Sequence, residues 1–486
     1  MAQVLTRKDV WKLPEWDPIL LWYSKAMAHM WTKPINDPHS WRYQAAIHEY
    51  SRDFDPLASD DDQLPSTNDR ARFWNQCQHG SWFFLPWHRM YLSCFERIVR
   101  KTVIELGGPD DWTLPYWNYS DKDNPDARKL PPAFRAMKLP DGSPNALRIE
   151  ARSSAMNNGA LMGVNDVDIE PCLKETVYKQ PAVGVTSFGG PQTGFHHPPG
   201  GFGTLEAVPH GSVHGRVGGG QWMGRFNTAA LDPIFWLHHC NIDRLWEVWR
   251  QRNPQNVNPA EADWLTNLSF ELHDETGSEV SMVPSEVIDS TAEPLSYEYE
   301  DVTDPLGGWQ SPFAGAAIPA GLEEIIMSEM VGATEQPVTL TGAAVTTSLD
   351  VNAPAGPAAL AAGLEGAQRR IYLNIENITG EGFAPGYEVY LNLPPGERPS
   401  DHRELFAGLL PMFGVAEATN PVGDHPANGL QYSLDITEVA ERLQALNAWD
   451  PAKMHVTFIP DQTPDELESE VPSTPVKVGR ISLYYE

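Results

Sequence analysis

Between Trp16 and Tyr50, apolar and aromatic residues recur at spacings of three and four (Leu20, Tyr23, Met27, Met30; Trp41, Ala45, His48), which predicts helices interrupted at Pro34 and Pro38. The stretch WHRMYLSCFERIVRKTVIEL, 87–106, is strongly amphipathic. So is IFWLHHCNIDRLWEVWRQR, 234–252, with Leu237, Ile242, Leu245 and Val248 on its buried side. Between them, 120–205 is rich in Pro, Gly and Asn and predicts long surface loops with little regular structure. The first 250 residues therefore read as mainly helical.

The texture changes after about Trp264. LSFELHD and LSYEYEDV alternate apolar and polar residues as strands do, and a segment rich in Pro, Gly and Ala up to Pro337 reads as a linker. Beyond it, RRIYLNIENI, YEVYLNL, LQYSLDI, KMHVTFI and KVGRISLYY are period-two runs separated by turn residues. They predict a β-sandwich with ITEVAERLQAL as its one helix. The expected organisation is a helical domain over 1–303, a linker over 304–337 and a β domain over 338–486.

Composition narrows the function classes. Lys and Arg total 35 against 65 Asp and Glu, a net charge of −30, and such a field disfavours nucleic-acid and membrane-surface partners. The N-terminus MAQVLTRKDVWKLPEWDP has no apolar leader segment, and no run is long enough to span a bilayer, so a soluble cytoplasmic protein is expected. Four scattered cysteines, Cys77, Cys94, Cys172 and Cys240, agree with a reducing compartment.

The histidines carry the chemistry. PHGSVHG sets His210 and His214 four apart, able to share one metal ion from one helix face. The adjacent pair His238 and His239 lies on a well-marked amphipathic helix. His239 is the candidate third nitrogen, with Asp243 one turn later as the expected acceptor of its ring N–H. Upstream, QAAIHEY and CQHGSWFFLPWHRMY supply His48, His79 and His88 among large apolar groups, where burial of imidazole is costly unless something binds the lone pairs. Two sets of three imidazoles fit zinc, copper, iron or nickel, and ligand type alone does not choose.

HGSWFFLPWHRMYLSCFE paired with PHGSVH and DPIFWLHHCNIDRLW resembles the tyrosinase and catechol oxidase family, the dinuclear copper polyphenol oxidases. TLPYWNYS and LSYEYEDV are similar to further landmarks of that family, so the resemblance covers roughly 15–303. It implies a four-helix-bundle core carrying two copper ions, with His48, His79 and His88 on one and His210, His214 and His239 on the other. His238 is then a neighbour that does not ligate. Cys77, two residues before His79, stands where some members form a thioether to that histidine. Glu206 matches a glutamate that holds a water near the coppers, ionised beside the two cations, and Phe226 matches a residue over the second copper. The C-terminal region resembles, more weakly, a β domain that shields the active site in many of these enzymes.

The function so implied is oxidation of o-diphenols to o-quinones by dioxygen, with weaker o-hydroxylation of monophenols. The bias toward diphenols follows from Gly211, where efficient monophenol hydroxylases of the family carry asparagine, and from the bulk of Phe226. An o-aminophenol oxidase shares every ligand. A haemocyanin-like oxygen carrier is a further alternative, and a zinc hydrolase lacks the expected His-Glu or Cys ligands.

Overall fold

In the computed structural model, Asp17, Ser40 and Asp232 each stand just ahead of a helix and accept an N–H of its first turn. The helices so started are Pro18–Met30, Trp41–His48 and Pro233–Arg252. Phe84–Glu105 has no side-chain cap; it packs against both Pro18–Met30 and Pro233–Arg252. Phe95 stacks on Trp236 and meets the edge of Trp41, which ties three of these helices into one core. The structure describes residues 3–53, 55, 57–195, 201–307, 328–349, 370–420, 428–446, 449, 454–462 and 472–486.

The N-terminal strand Leu5–Arg7 pairs in parallel with Tyr297–Tyr299 and so fastens the two ends of the helical part together. This brings the fully buried Arg7 guanidinium to Glu96 on one long helix (2.8 Å) and to Asp243 on another (3.5 Å). Buried charges are tolerated there because each has a partner.

The stretch 120–205 departs from its expected surface position. Among its described residues it has short helical turns only, such as Pro132–Arg135 and Glu170–Lys174. However, Leu130, Phe134, Leu147, Met162, Cys172, Tyr178 and Phe188 are buried in the main core. Proline, glycine and asparagine govern its backbone, while apolar residues between them anchor it. Buried carbonyls are satisfied by side chains: Arg152 donates to Phe134 and Leu147, and Asn145 to Ala133 and Ala136.

The C-terminal part is a pair of antiparallel sheets. One runs Phe406–Leu410, Tyr387–Leu391, Met454–Pro460, Val345–Leu349 in spatial order; the other runs Leu430–Asp435, Ile371–Gly380, Val476–Tyr485, Glu329–Ala333, with Val338–Leu340 also on Val476–Tyr485. Inward side chains of both, including Val389, Val456 and Phe458 against Leu373, Ile375 and Ile481, share one core. The helix Thr437–Ala445 is the one expected, and a second short one is Val415–Thr419. The expected linker is shorter at its end, because Glu329–Ala333 is already a strand paired with Val476–Tyr485; residues 308–327 of it lie outside the described residues. No helix among the described residues is long and apolar enough to cross a membrane.

Candidate metal centre

Five of the six expected histidines are oriented by a hydrogen bond at Nδ1. His48, the last residue of its helix, reaches the Phe226 carbonyl (3.0 Å), His88 the Phe84 carbonyl (2.8 Å), His210 the Glu206 carbonyl (3.1 Å) and His214 the Met223 carbonyl (2.8 Å). A carbonyl can only accept, so Nδ1 carries the proton and Nε2 keeps its lone pair. His79, on the loop between helices, points Nδ1 at Glu206 Oε1 (2.9 Å). His239 differs: Nε2 lies 3.3 Å from His214 Nε2, and Nδ1 has no hydrogen-bond partner among the described residues.

Two buried groups result, His48, Cys77, His79 and His88 in one and His210, His214, His238 and His239 in the other. Within each, the candidate ligand atoms lie within 4.8 Å of one another. The groups face each other, with His88 stacked on His239 (4.3 Å between ring centres) and His79 5.4 Å from His210. Burial, and next the neighbouring imidazoles, hold His88, His210 and His239 well below the ordinary imidazole range; His214 is lowered likewise. The rings are therefore neutral, the form that ligates. Nε2 of His210 has no hydrogen-bond partner among the described residues, a costly state for a buried nitrogen unless a metal takes the lone pair. A buried, neutral, nitrogen-rich donor set of this kind suits copper.

The adjacent pair divides. His239 stacks on His88 across the two groups, whereas His238 packs on Tyr119, whose hydroxyl is 3.2 Å from its Nδ1. Even so, His238 is fully buried, and its ring lies 4.9 Å from that of His214. Distance alone does not remove it from the second group.

Asp243 does not serve His239. Its carboxylate accepts from Arg89 Nε (2.5 Å) and from the hydroxyls of Tyr297 and Tyr299 (2.5 and 2.6 Å). A guanidinium and two phenols outcompete a neutral imidazole for one carboxylate. Phe226 is also corrected: its ring lies flat on His79 of the first group (4.5 Å, 10°), not over the second. Cys77 Sγ stands 3.5 Å from His88 Nε2.

Glu206 does more than its spacing indicates. One side-chain oxygen accepts from His79 Nδ1 and from the Gly80 N–H (2.9 Å each), while its backbone carbonyl holds His210, so one residue orients a histidine of each group. Burial raises its carboxyl well above the usual range, opposed by the Gly80 N–H. The ionised form expected for it requires the charge of bound metal to outweigh that burial.

The feature that sequence patterns do not reveal is Phe413. It comes from the β domain, between Phe406–Leu410 and Val415–Thr419, and lies flat on His214 (4.1 Å, 7°) and edge-on to Phe226 (4.5 Å, 72°). The next residue, Gly414, has φ +78°, and a Cβ there would stand 2.1 Å from Phe226, so only glycine fits. Tyr432 donates to the Pro411 carbonyl (2.7 Å), and a Cβ on Gly211 would meet Pro411 at 3.3 Å. The only signal in the sequence is PMFG, an apolar turn where a polar one is usual.

Two facing groups of imidazoles on a helical core, covered by a β domain, define a dinuclear metal centre. The profile described as the common central domain of tyrosinase matches residues 38–252, and one described as a domain of unknown function matches 327–486. The tyrosinase HcTyr1 of Hahella sp. (strain CCB-MM4) is 36% identical over 494 residues, covering 99% of both chains. A chloroplastic polyphenol oxidase of Vitis vinifera is 31% identical over 305 residues, 58% of this chain and 45% of that one. The structure of latent apple tyrosinase shares the fold, with TM-score 0.64 and 23% identity over 100% of this chain and 97% of that one. The chain belongs to the tyrosinase family and is an oxidoreductase with a dinuclear copper site.

Proposed function

We propose that the chain oxidises o-diphenols to o-quinones with dioxygen and hydroxylates monophenols more slowly. The observation that carries this reading is the Phe413 ring flat on His214, because an aromatic ring of phenol size is already accommodated at the metal-binding imidazoles. The names of the Hahella tyrosinase and the grapevine polyphenol oxidase support a phenolic substrate. We assign His48, His79 and His88 to one copper and His210, His214 and His239 to the other.

Bound copper supplies the electron transfer to dioxygen. The chain supplies the rest. Phe84, Phe226 and Phe235 pack on the ligand rings and keep the site apolar, so a substrate ring enters by stacking and leaves water behind. His214 orients that ring. Glu206, ionised, accepts the phenolic proton at its side-chain oxygen, directly or through a water, and returns it as the reduced oxygen leaves as water. Each diphenol gives up two electrons and two protons, so two diphenols consume one dioxygen and yield two quinones and two waters.

The β domain, 338–486 with the strand Glu329–Ala333, acts as a cover on the catalytic part, 1–303, and Phe413 occupies the substrate position. The test is a panel of matched monophenol, o-diphenol and o-aminophenol on copper-loaded protein. The diphenol is expected to give the highest kcat/KM, and preference for the o-aminophenol would reassign the substrate.

A further inference from the structure

The cover meets the catalytic part at a second place, away from Phe413. Asp166 is buried beneath the β domain, and its Oδ2 accepts from Arg216 Nε (2.8 Å) and from the Gly163 N–H (2.7 Å). Arg216 also reaches across the boundary with Nη2 to Asp461 Oδ2 of the β domain (2.5 Å), and the Asp461 carboxyl lies within hydrogen-bonding reach of Asp166. Two carboxylates thus share one guanidinium. If both were ionised two carboxylates, the buried Asp166 and the partly exposed Asp461, would face one guanidinium, whereas a proton on Asp166 makes the cluster neutral and supplies the hydrogen between the two acids.

Among the described residues no other cation supplies that charge. Arg403 and Glu388 of the β domain engage Asn165 and each other, with Tyr390 beside them. The strand Phe406–Leu410 brings no titratable group. Glu206 and His210, on the segment that also packs there, face the histidines. Arg152 is committed to Asp232, and Arg148 to Glu150. A cavity of about 350 Å³ runs along this boundary past Asp166, Arg216 and Asp461, giving water and protons a path.

We propose that the cover is closed by a proton-dependent latch in which Asp166 takes up one proton beside Asp461 and Arg216, so that closure takes up a proton and rising pH releases the cover. This rests on the β domain being a cover. Burial holds the Asp166 carboxyl well above the usual carboxylate range; Arg216 opposes that shift and Asp461 adds to it. The sign follows: a carboxyl whose pKa is higher closed than open favours the closed form at low pH. That advantage is lost as pH climbs from the ordinary carboxylate value toward the raised one.

The test is hydrogen exchange in full-length, copper-loaded protein, at the amides of 205–216 and 409–415, from about pH 5 to about pH 9. Rates are expressed as protection factors, which remove the chemical dependence on pH. Protection is expected to fall with rising pH, by no more than about tenfold per pH unit for one proton. Asp461→Asn, on the β domain and remote from the histidines, should hold protection level across the range, and Asp166→Asn should do the same if the first variant fails to fold. A level profile in the native chain, or a native slope retained in a folded variant, would overturn the latch. Turnover of Phe413→Ala separates the two ideas. No gain on removing that ring would refute the cover itself, whereas a gain with no pH slope removes only the latch.

Discussion

His238 and His239 are adjacent and equally buried, yet only the second stacks on His88 and stands beside His214 Nε2. His239→Ala is therefore expected to retain about one copper per chain and His238→Ala about two, read as metal content after gel filtration. The reverse result would exchange their roles. Cys77 poses a similar choice, since its sulfur lies 3.5 Å from His88 Nε2 although the family pattern links it to His79. Copper-matured protein should yield a peptide with Cys77 joined to the His79 ring, lighter by two hydrogens, dioxygen being the oxidant. Fragmentation placing the link on His88, or a free thiol after denaturation, would contradict that. The histidines were legible because a basic ring within an apolar run needs a reason. The errors at Asp243 and Phe226 arose from partners distant in sequence: Arg89 and two tyrosines claim the one, and His79 receives the other.

Periodicity located Phe84–Glu105, Pro233–Arg252 and most strands, because each buries one face. It failed over 120–205, where buried residues lack a period, and over the Phe413 turn, whose apolar residues face another domain. That turn changes the meaning of Gly211. The residue after His210 is also the seat of Pro411, so Gly211→Asn must push the turn away, at about 1–3 kcal/mol of overpacking. In the full chain it is expected to raise turnover of bulky phenols as well as the ratio of monophenol to diphenol activity. A changed ratio with unchanged access, measured as kcat/KM across phenols of increasing size, would show that the turn tolerates the side chain.

At the scale of the molecule, the helical part holds both histidine groups while the β domain places its own aromatic ring among them. Contacts across that boundary, Phe413 on His214 and Arg216 to Asp461, join residues far apart in the chain, which is why no local pattern disclosed them. The central claim is that this site turns over phenols and that Phe413 restrains it. Oxygen uptake with catechol by copper-loaded native and Phe413→Ala proteins tests it most directly. Displacing a buried phenylalanine ring costs about 2 kcal/mol, so uptake should run far past the copper content in both proteins and about thirtyfold faster in the variant. Uptake that stops at one dioxygen per copper pair in both would mean a carrier, and would contradict the account.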